Sequence, residues 1–404
     1  MIIKNAKVNN NIVSIIIEDE KIKHIDLENN FEKYNDNNII NANYNYVISG
    51  IIDPHTHMRD PGLTHKEDFE SGSKACIRGG VTTFFDMPNT IPNTITKETL
   101  LEKKKLMINK SFADYGFHFG GVKSNNSDEI KNIVNLIAST KIFFNASTGN
   151  MLVDDDIVLE QLFESSKLIT VHAEAEMTDK AIKIAKKTKK PLYICHVSLE
   201  REINSIKKAK DEGIEVYAEA TPHHIFMNIE NINDSNKHLL IMKPELKTKK
   251  DNKAIIEAIK SGIIDTIGTD HAPHLIKEKE EKTVYGIPSI ENSLELMLNM
   301  VEDNTITIEY LSKIMTENSA KIFNIKNKGK LEKGYDADLV IVDLNNKSTI
   351  KESETITKAN WCPYIGYKRG GRVVTTILRG NIVYEYKNNK DIFYEKKGKE
   401  VEFN

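Results

Sequence analysis

The chain has 404 residues, 39% of them apolar and 28% charged, which suits a soluble globular protein with one large core and room for a smaller unit beside it. The formal net charge of −3, from 56 basic and 59 acidic residues, argues against nucleic-acid binding. No run reaches the ~18 consecutive apolar residues of a membrane helix. Three cysteines, Cys76, Cys195 and Cys362, are too few and too scattered for a disulfide framework, and they read as reduced thiols of a cytoplasmic protein.

Residues 1–45 read as short strands with Asn-rich turns, and they lack the pattern of a signal peptide. From there the chain alternates. Strand-like runs are YVISGIID (46–53), GVTTFFD (80–86), YGFHFG (115–120), KIFF (141–144), LITVH (168–172), PLYICH (191–196), IEVYAEA (214–220) and IDTIGTD (264–270). Helix-period stretches such as SDEIKNIVNLIAS and EREINSIKKAKDEG lie between most of them. Eight strands alternating with helices predict an α/β fold, a (β/α)8 TIM barrel. Residues 330–404, with ADLVIVDL and RVVTTILRGNIVYEY, return to strand patterning. The expected division is therefore 1–46 and 330–404 as one small composite β-sandwich, with 47–329 as the barrel.

The ends of those strands carry the chemistry. The first runs into His55 and His57, the fifth ends at His172, the sixth at His196 and the eighth at Asp270. Barrel active sites lie at the C-terminal ends of the strands. Each residue alone has a plain reading: a core histidine, ordinary alternation, a helix cap at Asp270. Together they place four imidazoles and a carboxylate at one mouth, where buried charge is costly unless paired or metal-bound, and a metal is the expected reading. Such donors suit Zn²⁺, and also Mn²⁺, Co²⁺ or Fe²⁺. Cys195 is expected to face away from its neighbour His196. Five ligands exceed what one catalytic zinc needs, so two metals and a bridging anion are expected. A neutral lysine amine can add CO2 to give a carbamate, and Lys141 is the candidate, although its spacing alone favours a barrel-edge surface lysine.

The motifs DPHTHMRDPG, KEDFESGSKACIRGGVTTFFDMPNT, KIFFNASTGNMLVDDD, VHAEAE, ICHVS, EATPHHI, GTDHAPH and KGYDADLVIVD run in order from residue 53 to 343. In them the chain resembles the long-type dihydroorotases of the amidohydrolase superfamily, in a lysine-bridged, hydantoinase-like branch. The resemblance implies two zinc ions per subunit. His55, His57 and Asp270 would hold one and His172 and His196 the other, bridged by carboxylated Lys141. It implies that Asp270 is the general base and acid. Arg59, Asn89 and His274 would contact the substrate carboxylate, and the backbone around Gly286 and Ile287 would face the ring. His223 and His224 would buttress the site rather than ligate. The implied reaction is the reversible hydrolysis of dihydroorotate to N-carbamoyl-L-aspartate, a step of pyrimidine synthesis.

One departure stands out: Lys243 in KPELK occupies the usual asparagine position. The acidic, basic run in HLIKEKEEKTVYGIPS reads as a solvated face. The alternatives are another cyclic amidase, a hydantoinase, dihydropyrimidinase or allantoinase, or a non-catalytic scaffold relative. No nucleic-acid or membrane partner is expected. A homo-oligomer and an association with other pyrimidine-pathway enzymes are left open.

Overall fold

The computed structural model describes residues 1–27, 32, 38–147 and 151–403. Thr148, Gly149 and Asn150, part of the KIFFNASTGNMLVDDD motif, lie outside the described residues.

Eight parallel strand positions close into the expected barrel. The first is Ile51–Thr56 and the second Val81–Asp86. The third is interrupted, Asp114–Phe117 and then Phe119–Gly120. Thr140–Phe143, Ile169–His172, Leu192–Ile194, Val216–Ala220 and Thr266–Ile267 complete the set. Pairing runs in parallel around the ring, and a Thr56–His271 bridge closes it. The break in the third strand is His118, whose ring bonds Ser139 Oγ (2.7 Å) and the Pro54 carbonyl (2.8 Å). It ties the first and fourth strands across the barrel.

Helices return each strand to the next. Glu200–Asp211 buries Ile203, Ile206 and Ala209, three residues apart on one face, and leaves Lys207 and Lys208 in solvent. Several helices start at side-chain caps: Asp68 with Ser71, Thr96 with Thr99, Thr248 with Asp251. The barrel interior is closed below the site by Phe323. Its ring centroid lies 5.1 Å from that of Phe85 and 5.0 Å from that of Tyr193.

Both termini feed one nine-stranded sheet. Its middle is Tyr46–Ser49 against Leu339–Asp343, antiparallel, with Ser49 opposite Leu339. Alternation divides its side chains. Val47, Leu339, Ile341 and Ile377 join a core within the sheet unit, whereas Ile48, Val340, Val342 and Val373 join the barrel's core. The run 46–53 is thus two strands rather than one barrel strand. The joint is Gly50, where any Cβ would stand 2.1 Å from Thr82 Oγ1, so only glycine passes. Near the other end, Val401 N donates to Tyr115 O, and the Phe403 ring lies 5.8 Å from Phe85, under the barrel rather than in the sheet. Among the described residues no helix is long and apolar enough to cross a membrane.

Candidate active site

The C-terminal ends of the strands surround a narrow cleft. His55, His57, Arg59, Asn89, Lys141, His172, His196, Lys243, Asp270 and Gly286 line it. Three of these hold a backbone that non-glycine residues seldom adopt: Arg59 (φ 63°), His196 (φ 36°) and Asp270 (φ 46°). Such positions cost on the order of 1–3 kcal/mol each and persist where surrounding structure holds them, typically at functional sites.

Each imidazole is oriented by a partner behind it. His55 Nδ1 meets Glu219 Oε1 at 2.8 Å, and His57 Nδ1 meets Asn89 Oδ1 at 2.8 Å. Both therefore turn Nε2 toward Asp270 Oδ1, at 3.2 and 3.1 Å. His172 Nδ1 and His196 Nε2 face each other at 2.9 Å. Burial lowers the pKa of all four rings from its ordinary value and favours the neutral form. Neutral imidazole is the metal-binding form.

Two further atoms indicate that this set is incomplete without a ligand. His196 Nδ1 and His172 Nε2 are buried and have no hydrogen-bond partner among the described residues. His172 Nε2 passes 3.2 Å from Glu174 Oε1 without hydrogen-bond alignment. One donor atom each of His55, His196 and Asp270 lies within 4.8 Å of the other two. Neutral imidazole nitrogens converging with a carboxylate fit a divalent metal.

Lys141 is 1% exposed. Its Nζ donates to Cys195 Sγ at 3.0 Å, and among the described residues no carboxylate lies within ion-pair distance. Cys195 does not turn away from the site. The sixth strand ends at Ile194, and the positive φ of His196 breaks the alternation, so both side chains enter the barrel. Cys195 Sγ also comes within 4.8 Å of donor atoms of His55 and Glu219. Burial raises its thiol pKa and keeps it protonated.

Arg59 is 2% exposed. Its Nε donates to Pro273 O at 3.1 Å, and Nη2 lies 3.0 Å from His274 Nε2. Burial lowers its pKa to about 10, which leaves it charged at neutral pH. His274 stands behind Arg59 and does not line the cleft. Gly286 lines it with φ 132°, and a Cβ there would meet Ala272 O at 2.5 Å. Ile287 does not line it. Its carbonyl accepts from Ala272 N, and its side chain packs with Trp361 and Tyr364. His224 buttresses the rim, with Nε2 3.2 Å from Pro244 O and Nδ1 2.8 Å from Thr221 Oγ1. Lys243 pairs with Glu245 at 2.8 Å.

Several supporting residues carried no sequence signal. Glu219, raised by burial to about 8, also accepts from His196 N (2.9 Å) and Tyr193 OH (2.9 Å). Asp86 accepts from Met58 N at 2.7 Å and pairs with buried Lys103 at 2.5 Å, which fixes the turn between His57 and Arg59. The charge run after the eighth strand is not merely a solvated face. Lys279 is buried and donates to the carbonyls of Ile241 (2.6 Å), Val284 (3.2 Å) and Gly286 (2.8 Å), joining two loops of the rim.

The Amidohydrolase family description matches residues 46–383, and the chain belongs to that family. Within it, the chain is 35% identical to a dihydroorotase of Methanosphaera stadtmanae, over 95% of this chain and 96% of that one. It is 38% identical to a dihydroorotase of Pyrococcus horikoshii, over 92% and 88%. Among solved structures, the L-hydantoinase (dihydropyrimidinase) from Arthrobacter aurescens superposes with a TM-score of 0.92 at 26% identity, covering 99% of each chain.

Proposed function

We infer that the chain is a dihydroorotase. It opens the ring of (S)-dihydroorotate to N-carbamoyl-L-aspartate and closes it in the biosynthetic direction. The observation that carries this reading is Arg59, a buried guanidinium beside four imidazoles and Asp270 on one cleft. A hydantoin or dihydropyrimidine without a carboxylate would leave that buried charge without its anion, which is costly. The dihydroorotase relatives at 35% and 38% identity support the same reading.

The metal set we propose is two Zn²⁺, for which Mn²⁺, Co²⁺ or Fe²⁺ could substitute. His55, His57 and Asp270 would hold one, His172 and His196 the other, with carboxylated Lys141 between them. A buried ammonium without a paired carboxylate is unfavourable; loss of its proton and addition of CO2 would replace it with a carbamate whose negative charge the metal cations would offset. When bound, the metals would lower the pKa of a coordinated water and polarise the ring carbonyl.

The chain's own residues do the rest. Asp270 accepts the proton of the attacking water and returns it to the departing ring nitrogen. Arg59 holds the carboxylate by a charge-assisted fork, and Asn89 keeps His57 in its Nδ1–H form. The clamp fixes the ring in a near-attack geometry. The test is a zinc-reconstituted assay of ring opening against a panel of dihydroorotate, hydantoin, dihydrouracil and allantoin. Turnover of dihydroorotate above the others is expected; preference for an uncharged ring would return the reading to the hydantoinases.

A further inference from the structure

His274 lies between two cations. Lys66 Nζ is 3.1 Å from its Nδ1, and Arg59 Nη2 is 3.0 Å from its Nε2. Tyr285 O is also 3.0 Å from Nε2. A neutral imidazole has one N–H and one lone pair, so it cannot accept from both cations. An imidazolium does not form here. Burial and the facing charges of Arg59, Lys66 and Lys279 hold the ring neutral, and the acid facing it, Glu278, stands 3.9 Å from Nδ1.

Ammonium and guanidinium both have only donors, and the Tyr285 carbonyl 3.0 Å from Nε2 can only accept, which decides between the two tautomers. Charged Lys66 therefore takes Nδ1 as its acceptor, Nε2 carries the proton, and Tyr285 O accepts it. Arg59 Nη2 is then denied Nε2 as an acceptor. The guanidinium keeps that donor for a ligand in the cleft it lines.

We propose that Lys66 is a positioning residue: by donating to His274 Nδ1 it fixes the Nε2–H tautomer and reserves Arg59 Nη2 for the substrate carboxylate. The proposal rests on the reading of Arg59 as the carboxylate clamp. Lys66 is itself held in place. It is 8% exposed, and Glu278 Oε1 lies 3.3 Å from its Nζ and 3.1 Å from His65 Nε2. The backbone of His274 is pinned as well, Trp361 Nε1 donating to its carbonyl at 2.7 Å. Without Lys66 the Nδ1–H tautomer becomes available. Arg59 Nη2 then donates to Nε2, and the incoming carboxylate has to displace an internal partner.

The experiment compares zinc-loaded, full-chain wild type, Lys66→Met and Lys66→Arg, with 15N-labelled histidine and with dihydroorotate kinetics. His274 resonances are assigned by their loss in His274→Gln. The wild type should show the Nε2–H tautomer. In Lys66→Met the Nδ1–H form should appear, KM for dihydroorotate should rise about tenfold and kcat should stay within about twofold. Lys66→Arg should restore tautomer and KM together. An unchanged tautomer in Lys66→Met overturns the proposal, whatever happens to KM. A changed tautomer with unchanged KM overturns it too. Failure of the wild type to open dihydroorotate would defeat the functional reading, and the tautomer comparison would still decide the role of Lys66.

Discussion

Two buried clusters of charge teach opposite lessons. At the seam between sheet and barrel, Lys328 is surrounded by Asp338 (2.6 Å), Asp114 (2.7 Å) and Asp336 (3.0 Å). Arg379 also pairs with Asp114, and Lys21 with Asp336. Three cations there meet three carboxylates. In the cleft, the polar groups outnumber the bonds they make to one another. Two imidazole nitrogens lack an aligned hydrogen-bond partner among the described residues, and Lys141 donates to a thiol rather than to an anion. Both regions are charged and buried, yet in the first each cation faces a carboxylate, whereas in the second Lys141 faces none. Burial with internal satisfaction marks structure, whereas burial with unmet donors and acceptors marks a place for a ligand.

Four variants would break or sharpen that contrast. The largest effect is expected from Lys141→Ala, which should lose metal and activity together. Elemental analysis of the wild type should give about two metals per chain, the count set by the two ligand groups. A short acid such as propionate should partly restore both properties in the variant. Near-normal activity in Lys141→Ala would place the bridging anion elsewhere, with the acidic run Asp154–Asp156 next in line.

Asp270→Asn should follow, with kcat reduced about 10²–10⁴-fold, the range for loss of a general acid–base group. Its melting temperature should stay near that of the wild type. A parallel collapse in stability would mean that Asp270 serves the fold rather than the reaction.

Lys328→Met reverses the pattern. Breaking a buried pair leaves uncompensated charge, and the cost should be about 3–5 kcal/mol in denaturant unfolding. Activity per folded molecule should be unchanged. The direction with pH is fixed. Burial already raises the Asp338 pKa, and losing Lys328 raises it further. A carboxyl whose folded pKa lies above its unfolded value loses stability as pH rises through that window. The deficit of Lys328→Met should therefore shrink on acidification.

The smallest effect is expected from Arg59→Met. It should keep its metals and lose about 2–5 kcal/mol in kcat/KM for dihydroorotate. Unchanged kinetics would remove the carboxylate clamp from the mechanism.

Much of this was legible in the sequence, and the remainder has identifiable causes. Strand-end histidines and Asp270 announce themselves because residue type and position coincide. Glu219 does not. In IEVYAEA it falls where alternation predicts solvent, but a barrel strand is buried on both faces and alternation loses its meaning. Lys279 sits in a charged run that reads as a solvated face, and only its carbonyl partners, Ile241 in a distant loop and Val284 and Gly286 across a turn, show otherwise. The division at Gly50 was hidden because YVISGIID is one apolar run. A single glycine there separates two different sheets. Cys195 was misplaced because alternation was extended past the last strand residue.

The pairing of Ser49 with Leu339 makes the barrel, topologically, an insertion within the sheet. The central strands of that sheet cannot meet until everything between them has become compact, and closing so long a loop is slow. Refolding should therefore show early protection of amides within the barrel, with those of Val47 and Ile341 protected last. The catalytic half would then be assembled before the half that fastens it.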